Sequence, residues 1–152
     1  MREDFDDIED YYAECVAINE HDLDSEYKRV AADLSFWNAR YADAVEAHGN
    51  AKREYEETKA RASIEIRETA AGRGDKVTNP EVDAKVLLDP DVQDTHILLI
   101  SAEANLKRAR GRVDAIVTKK EMLQSLGAKL RLEMAHDPAV REAVAGQRLT
   151  GY

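Results

Sequence analysis

Basic side chains form two groups in this sequence, and their chemistry suits the binding of phosphates. Lys and Arg hold the backbone phosphates of nucleic acids without reading the bases. If symmetry brought several copies of the chain together, the same side chains could follow a phosphate backbone. The first group approaches and enters a central stretch that contains Gly and Pro, and it consists of Lys52, Arg53, Lys59, Arg61, Arg67, Arg73 and Lys76. The second group consists of Lys107, Arg108, Arg110 and Arg112.

The segment around Arg73, "AGRGD" followed by "KVTNPE", also has a purely structural interpretation. Gly72 and Gly74 can adopt the left-handed conformation that ends a helix. Thr78 lies three residues before Glu81, which is the spacing of a capping box. In this interpretation Arg73 is a solvated side chain in a turn. The residues alone leave both interpretations open.

No pattern in the sequence is typical of a catalytic, metal or cofactor site. The histidines (His21, His48, His96 and His136) are not paired at helical spacing, and the single Cys15 has no partner, so no zinc site is predicted. His48 and His96 occupy positions of an apolar helical repeat, where a core or interface histidine is the more frequent case. The many carboxylates are interpreted as solvated, or as partners of Lys and Arg. We therefore expect a protein that is not an enzyme and that binds no metal or cofactor.

The acidic residues are concentrated at the beginning of the chain. The formal net charge is −9, and residues 1–26 hold eleven acidic residues against Arg2, a net charge of −10. Residues 105–131 carry eight basic residues against two acidic ones. The chain therefore combines an acidic head with a basic section. Such a head also suits a protein that mimics DNA and binds a basic enzyme.

The sequence shows no signal for membrane insertion or export. No apolar run approaches the roughly 20 residues of a membrane-spanning helix. The acidic start, "MREDFDDIEDYY", lacks the basic and apolar segments of a signal peptide. A lone Cys15 cannot form an internal disulfide, as is usual in a reducing compartment. We therefore expect a cytoplasmic protein with no membrane partner.

Apolar residues recur every three or four positions in two long segments, which predicts two long helices packed lengthwise on each other. Ser25 and Asp89 are the predicted N-caps of these helices, and the capping-box spacing at Thr78 predicts a short helix between them. The fold class is therefore all-α, a long antiparallel helical hairpin with a short connecting helix. The predicted helices cover about residues 25–71, 79–88 and 90–134. The predicted regions are an acidic N-terminal head (1–24), a helical hairpin domain (25–135) and a C-terminal tail (136–152).

The hairpin places the two basic groups side by side if its bend is centred near residue 80. Residue numbers that face each other across the hairpin then add up to roughly 160. Arg53 would lie near Lys107 and Arg108, and Lys52 would lie near Arg110. The two groups would form one basic belt that continues toward the bend.

One hairpin does not cover all of the predicted apolar surface. In "HILLI" the four consecutive residues 97–100 point about 100° apart, so they cannot all face one partner helix. Phe36 and Trp37 present the same difficulty in the first long helix. Small helical proteins that are apolar on several faces commonly complete their core with further copies. We therefore expect a closed, ring-like homo-oligomer.

Three segments resemble the UvsY-like recombination mediators of tailed phages. They are "LDSEYKRVAADLSFWNARYADA", "ETKARASIEIRETAAGRGDKVTNPEVDAKVLLDPDVQ" and "DAIVTKKEMLQSL", and the resemblance runs from Leu23 to Leu130. The most specific parts are "KAR", which contains Lys59 and Arg61, and the later "GRGD". The resemblance implies that Lys59 and Arg61 bind DNA, with Arg67 as an alternative occupant of the same role.

The resemblance also implies a function in DNA recombination and DNA repair. It implies a ring-shaped homo-oligomer, a heptamer in the best-known member, that binds single-stranded DNA without sequence specificity. In the cytoplasm of an infected bacterium, such a bacteriophage protein helps a RecA-type recombinase to replace the single-strand-binding protein. Two other classes stay open from the residues: an oligomeric helical adaptor or structural protein without DNA binding, and the acidic DNA mimic.

Overall fold

Four helices and no strand make up the regular structure of the part that the computed structural model describes, which is residues 5–137 and residue 142, with side chains from Ile8 onward. The described helices are α1 (Phe5–Val16), α2 (Leu23–Arg73), α3 (Asn79–Leu87) and α4 (Pro90–His136). The predicted all-α class is confirmed, and the three predicted helices begin and end within two residues of α2, α3 and α4. Residues 1–4 of the predicted acidic head, and residues 138–141 and 143–152 of the predicted tail, lie outside the described residues.

The helices contribute to two compact units. Unit 1 contains the described residues up to Phe36 and those from Arg112 onward, and unit 2 contains Trp37–Gly111. Both α2 and α4 contribute to each unit. The helix α1, which belongs to the predicted acidic head, packs within unit 1 on the first part of α2 and the later part of α4.

Side-chain and backbone caps define both ends of α2. Asp22, and not the predicted Ser25, caps the beginning, since Asp22 Oδ1 accepts a hydrogen bond from the backbone N–H of Ser25 at 3.2 Å. Hydrogen bonds from the side chain and backbone of Ser25 lower the pKa of Asp22. At the other end, the N–H groups of Gly74 and Asp75 donate back to the last turn of α2, each at 3.0 Å. Gly74 has a φ of 78°, so this is a Schellman motif whose left-handed position favours Gly.

The predicted caps of α3 and α4 are confirmed. Glu81 Oε2 accepts hydrogen bonds from the backbone N–H of Thr78 at 2.8 Å and from its hydroxyl at 3.0 Å. Asp89 Oδ1 accepts from the N–H of Val92 at 3.1 Å, and Pro90 occupies the first turn, where its missing N–H costs nothing. The turn between α2 and α4 therefore has a defined backbone along its length.

In unit 1 the helix α1 is held by apolar packing and by polar contacts. The Tyr11 hydroxyl donates to Asp33 Oδ1 at 3.3 Å, and the Tyr11 ring meets Phe36 edge-on with centroids 5.2 Å apart. The prediction that Phe36 and Trp37 leave surface uncovered is wrong. In unit 1 the helix α1 packs on Phe36. Trp37, which belongs to unit 2, is only 1% exposed. The buried apolar side chains of unit 1 are Cys15, Val30, Ile116 and Leu123.

A hydrophobic cluster of unit 2 lies at the bend, where α3 packs on α2 and α4. Its buried members are Ala62, Val82, Val86 and Val92, and Tyr55, Ile66 and Val77 pack against them. The short helix therefore covers one side of the hairpin, and the last turns of α2 pack against it.

The register of the hairpin in unit 2 differs from the predicted register. The rings of Tyr55 and His96 stack with centroids 5.0 Å apart, which in an antiparallel pair places Arg53 opposite residue 98. Arg53 and Lys107 are therefore displaced by about nine residues, or about 13 Å along the helix axis. The predicted juxtaposition of Arg53 with Lys107 and of Lys52 with Arg110 is wrong. The predicted register assumed a symmetrical bend, in which the end of α2 lies opposite the beginning of α4. In unit 2 the end of α2 packs instead on α3.

Three of the four apolar residues of "HILLI" remain exposed, as predicted. Ile97 is 63% exposed, Leu98 is 56% exposed and Ile100 is 54% exposed, whereas Leu99 is half-buried. A large apolar side chain that is more than half exposed buries little area within its own chain, so its burial contributes little to the stability of the fold. Unit 2 therefore carries apolar surface that its own helices do not cover.

Candidate nucleic-acid interface

Three cations surround a cavity of about 440 Å³ at the bend of unit 2. The cavity lies between the end of α2, the turn and α3, and none of the three cations forms a salt bridge with a described residue. The cations are Arg73, Lys76 and Lys85, and the apolar lining is Ala62, Ile66, Ala70 and Val77. Lys85 was not among the predicted residues, because from sequence it is an ordinary i+4 neighbour of Glu81 on a helix surface.

Carboxylates also line this cavity, and two of them are already engaged. Hydrogen bonds from the backbone and hydroxyl of Thr78 lower the pKa of Glu81, and Asp89 caps α4. A helix N-terminus carries a partial positive charge that offsets a capping carboxylate. With the remaining acids, Glu65 and Asp75, the cavity is close to neutral overall. A phosphate is therefore best placed on the exposed side chains of the turn and not on the apolar lining.

Three of the predicted basic residues in the middle of α2 form exposed ion pairs on the same helix. Ion pairs at such exposure contribute about 0–1 kcal/mol, so a phosphate can replace the carboxylate at small cost. Lys52 is exposed and forms no salt bridge with any described residue. The pairs are Arg53 with Glu57 at 4.0 Å, Lys59 with Glu56 at 3.7 Å, and Arg61 with Glu57 at 3.6 Å.

Arg67 has a structural contact that the sequence did not reveal. Its guanidinium group donates to Asn79 Oδ1 at 2.9 Å and so connects α2 to the first residue of α3. Arg67 is still exposed, but replacing it changes the bend as well as the charge. Arg73 and Lys76 are better probes of phosphate binding.

The predicted basic residues of α4 do not share one environment. In unit 2, Lys107 pairs with Glu103 at 2.9 Å, and the hydrogen bond and charge of Lys107 lower the pKa of Glu103. Arg108 and Arg110 are both exposed in the same unit. In the register described above, these three cations do not lie opposite Lys52 and Arg53, as the predicted basic belt required.

Arg112 belongs to unit 1, where the acidic helix α1 engages it. Its guanidinium group bonds to Glu9 and lies 5.6 Å from the centre of the Tyr12 ring. The Arg112 side chain is 19% exposed in this arrangement. Arg112 is therefore a poor candidate for DNA binding while α1 remains in place.

Lys119, which contributes to the basic section of the sequence, is not a surface residue. Its side chain is 2% exposed, and its Nζ atom lies 2.6 Å from Glu26 Oε2 and donates to the carbonyl of Cys15 at 2.9 Å. Burial raises the pKa of Glu26, but the hydrogen bonds from Lys119 and Asn19 and the positive charges nearby outweigh it and lower this pKa. The pair joins α4 to the end of α1 and the beginning of α2, so the basic section is weaker at the surface than its composition suggests.

The described residues contain no group of three or more His, Cys, Asp and Glu side chains placed to hold a metal ion. Within the same part of the chain, no helix is long and apolar enough to cross a membrane. Comparisons with protein-family models, curated proteins and solved structures found no match.

Proposed function

We propose that this protein binds single-stranded DNA by its phosphates, without sequence specificity, at the basic residues around the bend of unit 2. Together with the resemblance to UvsY-like mediators, this suggests a phage recombination mediator. It promotes loading of a RecA-type recombinase onto strands covered by single-strand-binding protein. Such a protein needs no covalent chemistry, since its task is to hold the strand so that the recombinase can nucleate.

The observation that carries this proposal is the exposure of Arg73 and Lys76 on a turn with a defined backbone. Neither side chain forms a salt bridge with a described residue, so their charges are available to a phosphate. The Schellman motif at Gly74 and the capping box at Thr78 fix the backbone around them. A preorganised site loses less conformational freedom on binding.

We further propose that several copies assemble into a closed ring, as the resemblance to UvsY-like mediators implies; the best-known member of that family is a heptamer. The exposed Ile97, Leu98 and Ile100 support this, because contiguous apolar surface commonly marks a protein contact. A ring repeats the same cations around one axis. Simultaneous weak contacts then add up to a useful affinity for a long strand.

The contacts of α1 argue against the acidic DNA mimic. Glu9 bonds to Arg112, and Glu14 pairs with Arg29 at 3.5 Å, so two of its acids neutralise cations of the same unit. A mimic presents its acids to a basic partner. An oligomeric adaptor without DNA binding shares every feature of the fold, and only a binding measurement separates it from the mediator.

The test is a fluorescence-polarisation titration with labelled single- and double-stranded oligonucleotides of equal length over a series of salt concentrations. We expect tighter binding to the single strand, and a logarithmic salt slope of about −0.7 for each phosphate contact. Binding that is absent at moderate salt would favour the adaptor. The mediator role is tested separately, by whether the protein speeds assembly of a RecA-type filament on a strand covered by single-strand-binding protein.

A further inference from the structure

An aromatic pair lies on the surface of unit 2 between the two long helices. The rings of Tyr55 on α2 and His96 on α4 stack with centroids 5.0 Å apart and an interplanar angle of 23°. Tyr55 is half-buried and packs against the core at the bend, whereas His96 is exposed. The core therefore holds one ring in place, and that ring supports a second one in contact with solvent.

Two cations lie on the same side of α2 as this pair. Lys52 and Lys59 are three residues before and four residues after Tyr55, spacings that bring side chains together on a helix surface. Lys59 Nζ lies 5.1 Å from the centre of the Tyr55 ring. Seven residues separate the two lysines, which is about 10 Å along the helix. The aromatic pair is therefore flanked by positive charge on both sides.

Neither lysine is firmly committed to a partner in the same chain. Lys52 forms no salt bridge among the described residues. Lys59 pairs with Glu56 at 3.7 Å, with side chains that are 38% and 59% exposed, and such exposed pairs contribute little. A phosphate can therefore bind either lysine without displacing a strong contact.

We propose that a nucleobase of single-stranded DNA stacks on the exposed ring of His96, while Lys52 and Lys59 bind the phosphates on either side of that base. Surfaces that bind single strands combine stacking aromatics with cations along the backbone, and stacking tolerates any base because every base has a flat aromatic face. This inference rests on the proposed function and adds a base contact to it. The sequence indicated only phosphate contacts, because His96 occupies a position of the apolar helical repeat.

A second copy of the chain is the competing occupant of this surface. Ile100 lies one helical turn after His96 and is 54% exposed, so a partner subunit that covers Ile100 could also cover His96. In that case His96 would contribute to the mass of the oligomer and not to base binding. The two occupants predict different results for the same substitution.

The experiment compares a labelled oligothymidylate with an abasic oligonucleotide of the same length, which keeps the phosphates and lacks the bases. We expect the unmodified protein to bind oligothymidylate more tightly. His96→Ala should weaken that binding at least about fivefold, the lower limit for loss of one stacked base, and should leave abasic binding within about twofold. His96→Phe should restore the preference, and His48→Ala, a histidine substitution elsewhere in unit 2, should leave both affinities unchanged.

A measurement on the unmodified chain makes the test independent of how the variants fold. Stacking should quench the fluorescence of a 2-aminopurine base in a bound oligonucleotide, and a bound strand without quenching would overturn the proposal. Equal losses on both oligonucleotides, no loss from His96→Ala, or a change in its oligomer mass by light scattering would overturn it as well. Binding of both oligonucleotides with no preference for bases refutes this inference alone, whereas binding of neither also refutes the proposed function.

Discussion

Replacing Lys119 by Met should destabilise unit 1, because the buried ammonium group connects three segments of the chain. The Lys119 side chain is 2% exposed, and it contacts the carboxylate of Glu26 at 2.6 Å and the carbonyl of Cys15 at 2.9 Å. Met has a similar length and no charge, so this change removes both contacts while it fills most of the volume. The Glu26 side chain, which is 13% exposed, would then be a nearly buried carboxylate without its ammonium partner.

Breaking a buried ion pair by removing one partner costs about 3–5 kcal/mol. We expect the free energy of unfolding of Lys119→Met to fall by this amount at neutral pH, which is a large part of the roughly 5–15 kcal/mol of a typical domain. Urea unfolding followed by far-ultraviolet circular dichroism measures the loss. Adding Glu26→Gln should recover part of it, because a neutral amide replaces the unpaired carboxylate. A loss below about 1 kcal/mol, or no recovery in the double variant, would refute the buried pair.

The same pair predicts a dependence of stability on pH. The pKa of Glu26 in the folded protein is lower than its ordinary value of 4.5. A carboxylate with a lowered pKa stabilises the fold above its unfolded pKa, and this contribution is lost as the pH falls through the folded pKa. The free energy of unfolding should therefore decrease below about pH 4.5, and the decrease should be smaller in Glu26→Gln.

Three further predictions concern packing, the acidic helix and assembly. The melting temperature of Gly127→Ala should be lower than that of Gly111→Ala. A Cβ at Gly127 would lie 2.6 Å from the Tyr27 hydroxyl, while Gly111 has open space around it. Equal melting temperatures would contradict this packing. Glu9→Gln with Glu14→Gln should tighten single-strand binding and steepen its salt dependence, since these acids neutralise nearby cations; unchanged titrations would leave α1 without a role in DNA binding. Ile97→Asp should lower the oligomer mass in light scattering without loss of helix, and a monomeric unmodified protein would remove the ring from the proposal.

Three of the four described helices were predictable from local sequence signals. Caps such as Asp89 and Thr78, and the apolar repeat of three and four residues, depend on neighbours close in the chain, so they fixed α2, α3 and α4 to within two residues. The choice of Ser25 over Asp22 failed because both residue types can cap a helix and only three positions separate them. Local signals therefore gave α2, α3 and α4 with small errors at the ends, whereas α1 was not predicted.

The candidate site was predictable only in part, because side-chain partners depend on tertiary packing. Arg73 and Lys76 are exposed, as the turn residues suggested. Arg112 and Lys119, in contrast, form ion pairs with residues of α1 and α2 that lie about a hundred positions away in the sequence. The register failed for a related reason, since apolar repeats allow a shift of whole turns and the packing of α3 selects one of them. The stacking of Tyr55 on His96 follows from that register and has no signal of its own in the sequence.

The most direct test of the central claim compares two charge-reversal pairs in salt-dependent binding of a single-stranded oligonucleotide. Arg73→Glu with Lys76→Glu reverses the exposed cations of the bend, and Lys120→Glu with Arg131→Glu makes the same change in charge at exposed positions of unit 1. We predict that the bend pair weakens binding sharply and reduces the logarithmic salt slope by about 1.4, the value for two lost phosphate contacts, while the control pair has a much smaller effect. Equal losses from both pairs would show diffuse charge attraction, and no loss from the bend pair would reduce Arg73 and Lys76 to solvated side chains of a turn; either result would contradict a DNA site at the bend.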